Sequence, residues 1–124
     1  MRDLPILPAQ SILALRHAIL CRRAGRDTLP ELERRLGSRI AARRFRVLME
    51  AMGQIWPDPF AVAPPCCSRL SFDEALLAQM VMAAALQDRH HFDFLSAEML
   101  GMDARDMLYA CLHNFLSAQG LAYH

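Results

Sequence analysis

The chain has 124 residues, of which 54% are hydrophobic, and its formal net charge is +1. This length predicts a single helical domain over residues 1–124, with a core that needs no disulfide or metal for stability. The longest apolar run, Ala75 to Leu86, is much shorter than the roughly 20 residues that span a bilayer. That run excludes a membrane-spanning helix, and since we find no cleavable signal sequence we expect a cytoplasmic protein with reduced cysteines.

Charge is distributed unevenly along the chain. All 14 basic residues are arginines; residues 1–56 contain eleven of them against five acidic residues, whereas residues 57–124 contain three against eight. Either the first part forms a basic surface for an acidic partner such as nucleic acid, or the two parts face each other within or between chains. The high hydrophobic content favours an apolar interface in addition to a core, and therefore a homodimer.

Hydrophobic spacing predicts an all-α fold with no strand. We expect a compact orthogonal or irregular bundle of five to six helices around a central apolar helix at about 72–87. The predicted helices cover about residues 8–24, 28–37, 38–54, 72–87, 92–100 and 104–119. In the first of them, Arg16 lies between two apolar lines, where its stem can pack while its head reaches a carboxylate.

The second and third predicted helices resemble a helix-turn-helix. Thr28 to Glu31 has the S/T-x-x-E spacing of a capping box. In the helix at 38–54, the predicted apolar arc consists of Ile40, Phe45, Val47, Leu48, Ala51, Met52 and Ile55. Arg44 falls inside that arc, so we expect it to be buried against a carboxylate.

A DNA-binding function follows from this pair of helices as one hypothesis. Arg39, Arg43 and Arg46 would project from the second helix towards phosphates and guanine edges. The turn at Leu36-Gly37 is one residue shorter than the usual pattern, and the near-neutral net charge is atypical of a nucleic-acid-binding protein.

A proline-rich linker at about 57–65 leads to the adjacent cysteines Cys66 and Cys67. A thiol before a helix N-terminus and beside Arg69 can become reactive, and two cysteines can hold a soft metal. Zinc sites, however, separate paired cysteines by two to four residues. We expect these cysteines to help dock the linker, with a metal-binding module at Cys66 and Cys67 as an alternative.

The helix at 72–87 begins with a second capping box, Ser71 to Glu74. It then reads ALLAQMVMAAAL, with Gln79 as its one polar side chain. A helix that is apolar on every side is buried, by other helices or by a partner chain. We expect Leu76, Leu77, Met80, Val81 and Ala84 all to be buried.

The segment at 65–77, Pro-Cys-Cys-x-Arg-Leu-Ser-x-Asp-Glu-Ala-Leu-Leu, resembles the signature of a small uncharacterised bacterial family of helical proteins. The arginine-rich helix before it, at about 36–55, is similar too. The resemblance covers about half of the chain. It implies an all-helical fold, and it implies no activity or functional residue because none is established for that family.

No catalytic signature occurs in the chain. It has no glycine-rich phosphate loop, no H-E-x-x-H and no G-x-S-x-G. We therefore assign no catalytic residue and no cofactor, and do not expect an enzyme. The favoured interpretation is a small interaction or regulatory protein that acts through a surface or as a homodimer, with a possible protein partner.

Overall fold

Six α-helices make up the fold in a computed structural model that describes residues 4–120. They are α1 (Ile6–Arg23), α2 (Leu29–Leu36), α3 (Arg39–Ile55), α4 (Phe72–Ala85), α5 (Arg89–Ser96) and α6 (Met102–Ala118). No strand occurs within the described residues. The helix α4 packs against α1, α5 and α6, while the most extensive contact joins α3 to α6. The prediction of an all-α bundle around a central apolar helix is confirmed.

Three helix starts differ from the prediction by two residues or more, and the first is that of α1, which begins at Ile6 rather than at Pro8. Helix α5 begins three residues earlier than expected because the side chain of Asp88 caps it, accepting a hydrogen bond from the His91 N–H at 3.0 Å. Helix α6 begins after Gly101, so Asp103 lies in its first turn rather than at the cap. An acidic side chain there still interacts favourably with the positive end of the helix dipole.

Of the two predicted capping boxes, one forms. Ser71 Oγ accepts from the Glu74 N–H at 3.0 Å, and Glu74 Oε1 accepts from the Ser71 N–H at 2.9 Å. The Thr28 side chain makes no cap bond, because Thr28 already has helical backbone angles. Glu31, the expected partner of Thr28, instead accepts hydrogen bonds from Arg34 and Arg35. The prediction at Thr28 was therefore wrong.

The core residues of α4 largely match the prediction. Leu77, Met80, Val81 and Ala84 are buried, and Leu76 is half-buried. The helix is nevertheless not covered on every side, since Phe72 at its start remains 83% exposed. Within the described residues, three neighbouring helices cover one side of α4 and leave the other open.

The buried side of α3 is rotated relative to the predicted arc. Its buried residues are Ala41, Ala42, Phe45, Leu48, Met49, Ala51 and Met52. Ile40 and Val47, which we expected in the core, are exposed. The orientation of α3 is set by α6, against which Phe45 packs edge-on to Phe115 with ring centroids 5.0 Å apart. Small alanines on the buried side allow this close approach.

Candidate interaction surfaces

A fully buried ion pair connects α1 to the start of α4. Arg16 Nε donates to Glu74 Oε2 and Arg16 Nη2 donates to Glu74 Oε1, both at 2.8 Å. Neither side chain is exposed to solvent. Such a two-pronged geometry is the strongest that a guanidinium forms with a carboxylate. The sequence indicated a carboxylate for Arg16, but not its complete burial.

The same guanidinium holds the linker. Its remaining donors reach three backbone carbonyls: Nη1 donates to Cys67 at 2.7 Å and Pro64 at 3.3 Å, and Nη2 donates to Arg69 at 2.9 Å. All five N–H groups of Arg16 are thus used. Glu74 also accepts from the Ala63 N–H at 3.1 Å. Because no donor of Arg16 remains free, this cluster fixes the linker and offers no binding site for a ligand.

Ionisation of the pair follows from these contacts. Burial by itself would raise the pKa of Glu74, but the hydrogen bonds from Arg16, Ser71 and Ala63 and the guanidinium charge outweigh burial and lower that pKa. The hydrogen bond to Glu74 raises the pKa of Arg16 against the opposing effect of burial. Both side chains are therefore charged at neutral pH.

The cysteines next to this cluster contribute backbone rather than thiols. The Cys67 carbonyl accepts from Arg16, and the Cys67 N–H donates to the Pro64 carbonyl at 2.9 Å. Cys66 is exposed and Cys67 half-buried, and all four cysteines are free. Within residues 4–120, no three histidine, cysteine or acidic side chains lie close enough to hold a metal ion.

We expect no stoichiometric metal on the purified protein, because two adjacent cysteines supply too few ligands for a stable zinc site. A Cys66→Ser, Cys67→Ser variant should have a free energy of unfolding within about 1 kcal/mol of the parent's value, because Cys66 is exposed and Cys67 is only half-buried. Elemental analysis after purification without chelator measures the metal content. Near-stoichiometric zinc, copper or iron that disappears in the variant would instead establish the metal-binding alternative.

The arginine line proposed for DNA is partly neutralised. Arg39 pairs with Glu33 at 3.0 Å and Arg46 lies 3.7 Å from Asp27. Arg43 is exposed and has no ion-pair partner among the described residues. Exposed pairs of this kind are worth at most about 1 kcal/mol, so phosphates can compete with them. The ion pairs with Glu33 and Asp27 nevertheless reduce the positive charge that α3 presents.

Arg44 does not take the position expected of it. It is exposed, and its Nη1 donates to the Asn114 carbonyl at 2.9 Å rather than to a carboxylate. The prediction of a buried Arg44 pair was wrong because α3 turns its arginines outward when Phe45 packs against α6. The arginine that is buried against a carboxylate is Arg16.

Ion pairs within the described residues do not neutralise the charge difference between the two parts of the chain. Arg16 with Glu74 is the only ion pair there that joins residues before 57 to residues after it. The others lie within one part, such as Arg89 with Asp93 at 3.0 Å. This buried pair is therefore the one direct ionic link between the two parts of the chain in this region, and a basic surface and facing parts both stay predictions.

An apolar groove runs along the open side of α4, next to the start of α1. It has a volume of about 380 Å³. The residues that line it are Leu4, Pro5, Pro8, Leu70, Ala75, Ala78, Gln79, Met82, Ala83, Leu86, Asp88 and His91. Leu86 is 69% exposed, and Ile6, the first residue of α1, is also largely exposed. The lining of this groove is mostly apolar.

A second groove lies between α3 and α6. Its volume is about 300 Å³, and its lining consists of Arg43, Arg44, Val47, Cys111 and Asn114. Burial raises the pKa of the Cys111 thiol, so this cysteine is neutral at pH 7. The lining of the groove combines the apolar side chain of Val47 and the neutral thiol of Cys111 with the guanidinium groups of Arg43 and Arg44.

Comparisons with protein-family models, with curated proteins and with solved structures gave no match. Within residues 4–120, none of the six helices is both long and apolar enough to cross a membrane. The functional assignment therefore depends on the geometry of these surfaces.

Proposed function

We propose that this protein is an interaction protein that forms a homodimer through the open side of α4. The observation that carries the proposal is a stripe of residues at alternating spacings of three and four: Phe72, Ala75, Gln79, Met82 and Leu86. This is the a/d spacing by which two helices interlock. Each member of the stripe is exposed or half-buried. We call this set the α4 stripe.

The two ends of the α4 stripe are symmetric about Gln79, which lies seven residues from both Phe72 and Leu86, whereas Ala75 and Met82 lie four and three residues from it. In an antiparallel pair related by a two-fold axis, Gln79 meets its own copy at the axis. Phe72 then packs against Leu86 of the partner subunit. A single polar residue among apolar positions sets the register of paired helices, since any shift would bury its amide without a partner.

Charges at the two ends of the stripe favour the same arrangement. Arg69 is exposed just before α4, and Asp88 is exposed just after it. An antiparallel pair brings Arg69 close to Asp88 of the partner subunit, whereas a parallel pair would oppose like charges at both ends. The antiparallel dimer is therefore complementary in register and in charge.

Charge complementation at Gln79 tests this dimer. We expect Gln79→Arg and Gln79→Glu each to be monomeric, because like charges would meet at the axis. An equimolar mixture of the two should recover the dimer, because opposite charges then meet. Sedimentation equilibrium measures the mass, and thermal unfolding followed by circular dichroism checks that each variant is folded.

The control is Gln54→Arg, which changes an exposed glutamine on α3 and should leave the dimer intact. A parent protein that remains monomeric at about 100 μM, near the weak end of specific association, would overturn the proposal. So would two Gln79 variants that both remain dimeric.

Three other assignments stay predictions. The resemblance of residues 65–77 to a bacterial family of helical proteins adds no activity to the proposal. A cytoplasmic location is supported by the four free thiols, which are typical of a reducing compartment. DNA binding through Arg39, Arg43 and Arg46 stays an alternative.

A further inference from the structure

A second surface, distinct from the α4 stripe, has the features of a peptide-binding site. Ile40 and Val47 are 58% and 55% exposed and lie two turns apart on α3. Arg43 and Arg44 lie between them, and helical spacing places all four residues on one side of the helix. We call Ile40, Arg43, Arg44 and Val47, together with Cys111 and Asn114 of α6, the α3–α6 surface.

The centre of the α3–α6 surface is concave. Val47 borders the groove of about 300 Å³ that Cys111 and Asn114 line from the opposite helix. Arg44 spans the groove, because its Nη1 donates to the Asn114 carbonyl at 2.9 Å. Beside the Arg44 side chain, the groove has room for an apolar side chain of a partner.

The charge of this surface is not neutralised within the chain. Among the described residues, Arg43 has no ion-pair partner and Arg44 donates to a backbone carbonyl only. The exposed carboxylate of Glu50 lies two turns along α3 from Arg43, beyond Val47. A partner's acidic groups would thus be attracted to Arg43 and Arg44 in the middle of the surface rather than along its whole length.

We infer that the α3–α6 surface binds an acidic amphipathic helix of a separate protein partner. Such a helix would place apolar side chains against Ile40 and Val47 and carboxylates against Arg43 and Arg44. Duplex DNA fits less well, because the two apolar residues would face phosphates and the flanking Arg39 and Arg46 are paired with Glu33 and Asp27.

Two further occupants are disfavoured by geometry. An anionic membrane would contact Ile40 and Val47 but would leave the groove that Cys111 and Asn114 line unfilled. A second copy of this chain would have to join two unlike surfaces, and such a contact forms a ring where the rotation closes and an open filament where it does not. Either assembly would raise the mass of the Gln79→Arg variant above that of a monomer.

The probe for this inference is a labelled helical peptide of about five turns. It has leucines at a/d spacing and glutamates on both flanks of the leucine face. We expect saturable binding with Kd below about 100 μM at about 150 mM salt, measured by fluorescence anisotropy. A matched peptide with glutamines in place of the glutamates should bind at least about tenfold more weakly.

Three variants locate the binding site. Arg43→Glu and Val47→Asp each change an exposed side chain and should weaken peptide binding at least about tenfold. Arg22→Glu changes an exposed arginine on α1 and should alter binding by less than about twofold, apart from long-range attraction. In a Cys66→Ser, Cys67→Ser background, bound peptide should also protect Cys111 from a maleimide reagent.

Several outcomes would overturn the inference. These are no saturable binding of the acidic peptide, equal binding of its glutamine version, or equal losses in Arg22→Glu and Arg43→Glu. Tighter binding of a duplex oligonucleotide or of anionic vesicles than of the peptide, in the same salt, would assign the surface to nucleic acid or to lipid instead. Because the site does not include α4, a monomeric Gln79→Arg protein should bind the peptide as the parent does. A protein that does not dimerise and a protein that does not bind the peptide are thus distinguishable results.

Discussion

Met80→Asp is expected to prevent folding. Met80 is fully buried on α4, the helix that contacts α1, α5 and α6. An aspartate there loses the apolar packing of Met80 and has to be either desolvated as an ion or protonated at a free-energy cost. The loss of several kcal/mol is comparable to the whole stability of a small domain, about 5–15 kcal/mol.

The matched control is the same substitution at an exposed site. Met102 is mostly exposed at the first position of α6, where a negative charge interacts favourably with the helix dipole. The free energy of unfolding of Met102→Asp should therefore lie within about 0.5 kcal/mol of the parent's value. Circular dichroism and soluble yield distinguish the two variants, and a Met80→Asp protein that unfolds cooperatively near the parent's melting temperature would contradict the burial of α4.

Arg16→Met is expected to lower the free energy of unfolding by about 3–5 kcal/mol, the usual loss when one partner of a buried ion pair is removed. The Glu74 carboxylate would remain buried without its cation. The carbonyls of Pro64, Cys67 and Arg69 would also lose their donor. We therefore expect the linker to be released from α1, which limited proteolysis between α3 and α4 would detect.

The control for Arg16→Met is Arg22→Met, which changes an exposed arginine on the same helix. It should alter the free energy of unfolding by about 0.5 kcal/mol or less. If the two substitutions lowered the free energy of unfolding in urea equally, the ion pair of Arg16 with Glu74 would not hold the linker. Removing both partners in Arg16→Met, Glu74→Leu should recover part of the stability, because no buried charge then remains unpaired.

Acid should reduce the difference between the parent and Arg16→Met. The folded parent holds the pKa of Glu74 below its ordinary value of 4.5, so the ionised carboxylate stabilises the fold above that pH. This contribution is lost as the pH falls through the lowered folded-state value. In Arg16→Met the buried Glu74 carboxylate has no cation beside it, so its protonation removes the free-energy cost of burying an unpaired charge. The two unfolding free energies should converge between pH 7 and about pH 3.

Local signals in the sequence were sufficient to predict the helices. Gly25, Gly37 and Gly120 follow helix ends with positive φ, a conformation that glycine adopts without steric cost. Ser71 and Glu74 form the capping box expected from their spacing. These features depend on residues within one or two turns of each other, so the sequence contains all the information they need.

The candidate sites were predicted less completely. Arg16 stood out because it interrupts an apolar helix, but its partner Glu74 lies 58 residues away and was assigned only to capping. A carboxylate can accept from a cap N–H and from a buried guanidinium at the same time, as Glu74 Oε1 does, and no local pattern distinguishes that case. The α3–α6 surface was missed because Ile40 and Val47 were expected to be buried.

The sequence by itself determined that this chain is helical and where most of its helices begin and end. It also predicted that α4 is buried on every side, which holds for Leu77, Met80, Val81 and Ala84 but not for Phe72. Hydrophobic periodicity and capping are properties of neighbouring residues, so they need no knowledge of the fold. Only the tertiary structure decided that Arg16 rather than Arg44 is buried and that the α4 stripe and the α3–α6 surface face solvent. Those outcomes depend on how each helix is rotated against its neighbours. That rotation is set by side-chain contacts between distant segments, such as Phe45 with Phe115.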